Sequence, residues 1–241
     1  MPIRFFRALL YPFEDPAWPR KLGLALLAAA VPVLGFFVIK GWEFETSAAV
    51  RRRDPRPLAD WGNLGSKLWR GLQIRAAGIL YNIPTYALVL LGILTWVGLF
   101  MRFLRGEALT LDAFADLFQR TLVPRLALLL LTLIYALLAN SLYWAGYIRY
   151  IETGRFATFF EVFRNAVVVF RTLLDDILTA IYLGLVSLLA GLIGMLLTAL
   201  LGATGVGAVV LPVLIPSITL TLLSSFSGHL FGQLAAHTLD R

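Results

Sequence analysis

Apolar positions along this chain run on without interruption instead of alternating with polar ones. Leu22 to Ile39, Ala76 to Met101, Leu126 to Ile148 and Ile177 to Leu239 contain no Lys, Arg, Asp or Glu. A helix needs about 20 such residues to cross a bilayer. The last run is long enough for two, and Gly202-Ala-Thr-Gly-Val-Gly207 within it supplies the turn residues that would separate them. The pattern therefore predicts five hydrophobic segments, at about 22–39, 76–101, 126–148, 177–201 and 208–236, after an interfacial N-terminal stretch at 1–21. Strands of a membrane barrel alternate apolar and polar positions over about ten residues, which these runs do not. The expected fold class is all-α: a polytopic integral membrane helical bundle, forming a single transmembrane domain over 1–241.

The polar connections carry apolar stripes of their own at helical spacing. Trp61, Leu64, Leu68 and Leu72 form one, with Lys67 and Arg70 on the other side and Asp60 placed to cap the start. Leu111, Phe114, Phe118 and Leu122 form a second after Thr110. Phe156, Phe159, Phe160, Phe163, Val167 and Phe170 form a third, with Thr158-x-x-Glu161 spaced as a capping box. Such stretches are either amphipathic helices lying at the headgroup boundary or the ends of long spanning helices.

Composition agrees with a bilayer as solvent: 59% of the 241 residues are apolar, 15% are charged, and mean hydropathy is +0.82. Cysteine is absent, so disulfides and thiolate chemistry are excluded. The net charge of +7, carried mostly by arginine, sits beside apolar segments, which points to anionic lipid headgroups and away from nucleic acid. Its distribution bears on topology. If all five segments cross, the better orientation leaves 13 basic residues inside and 8 outside. If the first segment dips in and returns, the division becomes 17 and 4, in better accord with the positive-inside rule. Pro32 and Gly35 offer that segment a place to bend.

Two faint echoes, Gly41-Trp42 and Gly146-Tyr147, each follow an apolar run and precede a basic stretch, the order expected of duplicated halves. A set of short motifs is distributed more widely. Tyr11-Pro-Phe-Glu-Asp-Pro16, Trp18 and Lys21 are followed by Pro32, Gly41-Trp42, Leu58 to Trp61, Gly71-Leu72, Tyr81 with Pro84, and Gly228-His-Leu-Phe-Gly-Gln233. In these the chain resembles DUF4013, a family of uncharacterised bacterial and archaeal membrane proteins, with Trp42 where the family usually has Tyr and Ala59 where an acidic pair is more usual. The resemblance implies a multi-helix membrane fold and brings no activity with it.

Candidate chemistry is sparse. Ser224, Gly228, Gly232 and Ala236 recur every four residues and suit close helix packing, within the chain or between subunits. His229, Gln233 and His237 lie beside that stripe, and His229 is the one position open to a haem or a chlorophyll-type pigment; no cofactor or metal is expected otherwise. Asn82, Asn140, Asp175 and Asp176 are further intramembrane polar candidates, suited to capping and interhelical hydrogen bonds. Arg51, Arg52, Arg53, Trp61, Lys67 and Arg70 are the expected contacts to lipid or partner. Nucleophile-elbow, Walker, dinucleotide and zinc-protease motifs are all missing, so no enzyme is expected. The leading expectation is a scaffold or accessory subunit in a prokaryotic inner membrane, partnered by lipids and by other subunits or copies of itself. A small transporter or lipid translocator is the alternative, and a pigment- or haem-associated subunit the third.

Overall fold

A computed structural model describes residues 3–55, 58–105, 111–201 and 204–239, with side chains described except at 95–96, 98–99, 102–103, 111–125, 205–206, 208–209 and 239. All regular structure among them is helical: α1 Phe5–Leu10, α2 Trp18–Ala29, α3 Leu34–Arg51, α4 Leu64–Leu104, α5 Leu111–Thr153, α6 Val162–Leu201 and α7 Gly205–Leu239, with 3₁₀ turns at Tyr11–Glu14 and Phe156–Phe160. The last four are 41, 43, 40 and 35 residues long. At 1.5 Å per residue they reach roughly 50 to 65 Å, well beyond a hydrocarbon core of about 30 Å. Each contains a stretch long and apolar enough to cross a membrane.

The stripes read from sequence are mostly ends of these long helices. α4 begins at Leu64 under a different cap from the expected one: Asn63 Oδ1 accepts from the Ser66 N–H at 3.0 Å, while Asp60 pairs with Lys21 at 3.0 Å. Lys67, expected to meet lipid or a partner, lies instead on the packed face. Lys67 and Gly71 are buried, and Leu64 and Leu72 are exposed, because close helix approach at Gly71 decides which side packs. The second stripe falls in the first turns of α5, where Thr110 and the side chains of Leu111, Phe114, Phe118 and Leu122 lie outside the described residues. The third is broken at Glu161, and its capping box does not form. Thr158 Oγ1 donates to the Arg155 carbonyl, and the Glu161 carboxylate is taken by Arg149 and Arg164.

The first apolar segment becomes a helical hairpin. α2 stops at Ala29 and α3 starts at Leu34. Between them the Leu34 N–H bonds to the Pro32 carbonyl at 2.7 Å across Val33, whose φ of 62° and ψ of −61° make a γ-turn. That conformation is strained for a β-branched residue. The helices then close on each other: a Cβ on Gly35 would meet the Ala28 carbonyl.

Contacts divide the chain into two units. One comprises the described residues of Met1–Ala77 and Trp144–Arg241, the other Gly78–Tyr143. In the first, α3 and α7 run the same way, with Gly228 against Glu43 and Thr46 and Gly232 against Ser47 and Val50. Trp42, Tyr147, Phe159 and Leu230 are fully buried there. In the second, the Tyr135 hydroxyl donates to the Tyr81 carbonyl at 2.9 Å, one turn before Pro84 loosens the α4 backbone ladder. Asn82 and Asn140 each donate back to their own helix, to Gly78 and Ala136.

Candidate functional site

Two neighbouring stretches near the N-terminus and a third about 40 residues on meet at one polar end of the larger unit. Asp15 follows the first 3₁₀ turn, Lys21 lies on α2, and Leu58 to Trp61 precede α4. Lys21 Nζ donates to Asp15 at 2.9 Å and to the Leu58 carbonyl at 2.6 Å, and it pairs with Asp60. The Trp42 indole N–H donates to the Ala59 carbonyl at 3.0 Å, and the Trp61 indole to the Lys21 carbonyl at 2.9 Å. Their rings stack with centroids 5.9 Å apart. Burial alone would raise the Asp15 carboxyl and lower the Lys21 ammonium. Their mutual hydrogen bond, with further bonds from the Ala17 and Leu58 N–H groups to Asp15 and from Lys21 to Asp60, outweighs it, holding Asp15 below and Lys21 above their ordinary values. Burial also pushes the Tyr11 hydroxyl up.

Beside this clasp an open cleft of about 690 Å³ lies where the C-terminal ends of α3 and α5 meet the connection to α4. Arg53, at φ 57°, and Gly154, at φ 65°, turn the chain out of α3 and α5 in the left-handed region. Arg52 and Arg70 line the cleft with Glu45, Asp60 and Glu152. The acids are engaged: Glu45 by Lys67 at 2.5 Å, Asp60 by Lys21, and Glu152 by Arg51 at 2.8 Å. Arg70 lies over the Phe44 ring at 4.9 Å. Of the six residues expected to face lipid or partner, Arg52 and Arg53 are exposed, Arg51, Trp61 and Arg70 are partly covered, and Lys67 points inward. Deeper still, Lys40 pairs with Glu43 at 2.5 Å and lies over the Trp144 and Tyr147 rings. That pair was absent from the sequence-based candidates, although Lys40 directly ends the first charge-free run and thus marks where charge is readmitted.

The polar edge of α7 divides among neighbours. Gln233 accepts from the Arg4 N–H at 2.8 Å, and His237 pairs with Asp175 of α6 at 3.3 Å. Asp176 accepts from Thr172 at 2.8 Å. His229 is 4% exposed, its ring 3.8 Å from that of Tyr11, and neither nitrogen has a hydrogen-bond partner. Both nitrogens are enclosed by protein, with the Tyr11 ring packed against the imidazole. Among the described residues no three His, Cys, Asp or Glu side chains group to hold a metal. Gly228 and Gly232 face α3, with the buried Ser224 and the partly buried Ala236 continuing their spacing to either side.

The family described as "Protein of unknown function (DUF4013)" matches residues 24–203, about three quarters of the chain. The chain belongs to DUF4013. No curated protein and no solved structure matches it. Within the matched residues, Trp42, Leu58 to Trp61 and the Gly41 and Gly71 contacts help to build the clasp and the α3–α4 crossing; Asp15 and Lys21 of the clasp precede the matched stretch.

Proposed function

We propose that this membrane protein is a non-enzymatic, multi-pass scaffold or accessory subunit of a larger assembly in a prokaryotic inner membrane. The observation that carries this reading is the way polar and apolar groups are spent. Buried charges of the larger unit are committed to fixed structural pairs such as Lys21 with Asp15, Lys40 with Glu43 and Lys67 with Glu45. Breaking such a pair from one side costs about 3–5 kcal/mol, so these groups suit holding a shape better than exchanging a substrate. The spanning stretches meanwhile turn outward, with only 6, 11, 6 and 28% of the residues buried in an apolar 18-residue window of each, and need cover from lipid and from other chains. Arg52 and Arg53 add headgroup contacts worth about 1 kcal/mol each near an anionic leaflet. Extraction in mild detergent at native expression tests this: a partner protein or a self-associated species is expected, and a lone monomer refutes the reading.

A second reading, a small transporter or lipid translocator, draws on Pro84 inside α4 and Pro212 and Pro216 inside α7, since interrupted helices surround many transport sites. Purified protein in liposomes that moves neither lipid nor solute excludes it.

A further inference from the structure

We infer that the α2–α3 hairpin is re-entrant, its tip lying among lipid acyl chains a little under halfway through the bilayer and both of its ends leaving by the same face. The tip offers nothing but apolar surface: Leu27, Val31, Val33 and Leu34 are 67, 47, 71 and 55% exposed. α2 has 12 residues, a length of about 18 Å against a hydrocarbon core of about 30 Å, so it cannot cross.

The depth follows from register inside one unit. Gly228 meets Glu43 and Thr46, and Gly232, four residues on, meets Ser47 and Val50. Carried back along both helices, Val33 lies level with about residue 217 of α7, roughly 18 Å from the start of that helix at Gly205. With the α6–α7 turn at one edge of the core, the tip then stands about 12 Å inside the opposite edge, and α3 emerges some eight residues after Val33, near Gly41. Charge was not used in that estimate, yet it agrees. Lys40, Glu43 and Glu45 are the first ionisable residues of α3, and Lys21 is the last of α2. On α7 the same edge falls near residue 225, leaving His229, Gln233 and His237 on the polar side. Arg75 of α4 stands level with the tip, because Gly71 meets Phe37 and Gly41 meets Lys67. Its guanidinium folds back over the Phe36 ring at 3.6 Å, toward the base, as a snorkelling side chain does.

The absence of cysteine allows single-cysteine probes. Val33→Cys, Arg20→Cys, Arg52→Cys and Thr204→Cys are compared in sealed vesicles; an unbranched side chain suits the positive φ at residue 33 better than valine does. With an impermeant maleimide, Arg20→Cys and Arg52→Cys should label from one face and Thr204→Cys from the other. Val33→Cys should label at least about tenfold more slowly from either, since hydrocarbon suppresses the thiolate. A nitroxide on Val33→Cys should be relaxed by oxygen and not by a nickel chelate. Labelling of Arg20→Cys and Arg52→Cys from opposite faces means that the segment crosses and overturns the inference. A nickel effect equal to that at Arg52→Cys puts the tip in water, and insensitivity to both relaxants puts it under protein; either result also overturns it. Should Val33→Cys fail to insert, Leu27→Cys, also exposed on α2, carries the same readouts.

Discussion

Replacing Gly41 by alanine should destabilise the protein far more than one methyl group ordinarily does. A Cβ at Gly41 would lie 1.8 Å from the Lys67 carbonyl oxygen, 2.5 Å from its carbon and 2.7 Å from its Cα. These are backbone atoms, so no rotamer change relieves the contact. Real Cβ contacts essentially never fall under 3.0 Å, so α3 and α4 must part by at least about 1.2 Å. A gap of that size forfeits up to half of the dispersion energy along the crossing. It also stretches the Lys67–Glu45 pair and the contact at Gly71, where a Cβ would meet Phe37. The upper range for overpacking, about 3 kcal/mol, is therefore expected, or a fall of roughly 6–12 °C in Tm for a chain of this size. Gly23→Ala is the control, because nothing lies within 4 Å of a Cβ there and helix propensity should yield a gain of about 0.5–1 kcal/mol. Thermal unfolding in mild detergent, followed by the six tryptophans, compares them. A Gly41→Ala protein melting within about 1 °C of wild type would refute the close crossing.

Asp15→Asn should destabilise at neutral pH by about 2 kcal/mol, less than the full cost of breaking a buried pair because the asparagine oxygen still accepts from Lys21, which keeps Asp60 and the Leu58 carbonyl. Because the folded carboxyl lies below its ordinary value near 3.9, that contribution is complete above it and fades as pH falls through the folded value, so the Tm gap between the proteins should close on acidification; a constant gap rejects the pairing. Trp61→Phe removes the bond to the Lys21 carbonyl and part of the stack on Trp42, and about 1–2 kcal/mol should be lost in the same melt. His229→Phe keeps an aromatic ring against Tyr11 and removes two unpartnered nitrogens, so stability should hold or rise by about 1 kcal/mol. An absorption band in the visible that disappears with His229→Phe would support the pigment reading.

Long-range periodicity was legible because a bilayer imposes it residue by residue: four of the five apolar segments lie in α4 to α7. The hairpin was half legible. Pro32 marked the bend, but the closure depends on Gly35 fitting against the Ala28 carbonyl, a contact that spacing alone does not encode. The cap at Asp60 and the placement of Lys67 differ from expectation for one physical reason. Propensity favours Asp60 as a cap and Lys67 as solvent-facing, whereas tertiary partners on α2 and α3 take both. The clasp was missed because its members belong to three stretches whose meeting is set by the fold. Asp15, Lys21 and Trp61 carry no signal as a set until Leu58 and Ala59 bring their carbonyls between them.

Two four-residue periods run side by side on α7, and their separation bears on where another chain can dock. Gly228 and Gly232 accept the α3 backbone so closely that a methyl at Gly232 would lie 2.6 Å from the Ser47 carbonyl oxygen. The face best suited to close packing between subunits is thereby used within the chain, and the neighbouring His229, Gln233 and His237 edge is covered by Tyr11 of the first 3₁₀ turn, by Arg4 and by Asp175 of α6. An assembly must therefore use other surface, and among the described residues α6 presents the most exposed aromatic side chains, with Phe163 in its first turn 91% exposed and Phe170, two turns on, 84% exposed. Substitutions should separate the two roles. Gly232→Leu should abolish folding whether or not a partner is present. Phe163→Ala combined with Phe170→Ala should leave the melting temperature of the isolated chain unchanged and lower the yield of co-purifying protein. If the double variant retains its companions in full, the α6 face meets lipid alone and the docking surface lies elsewhere on the long helices.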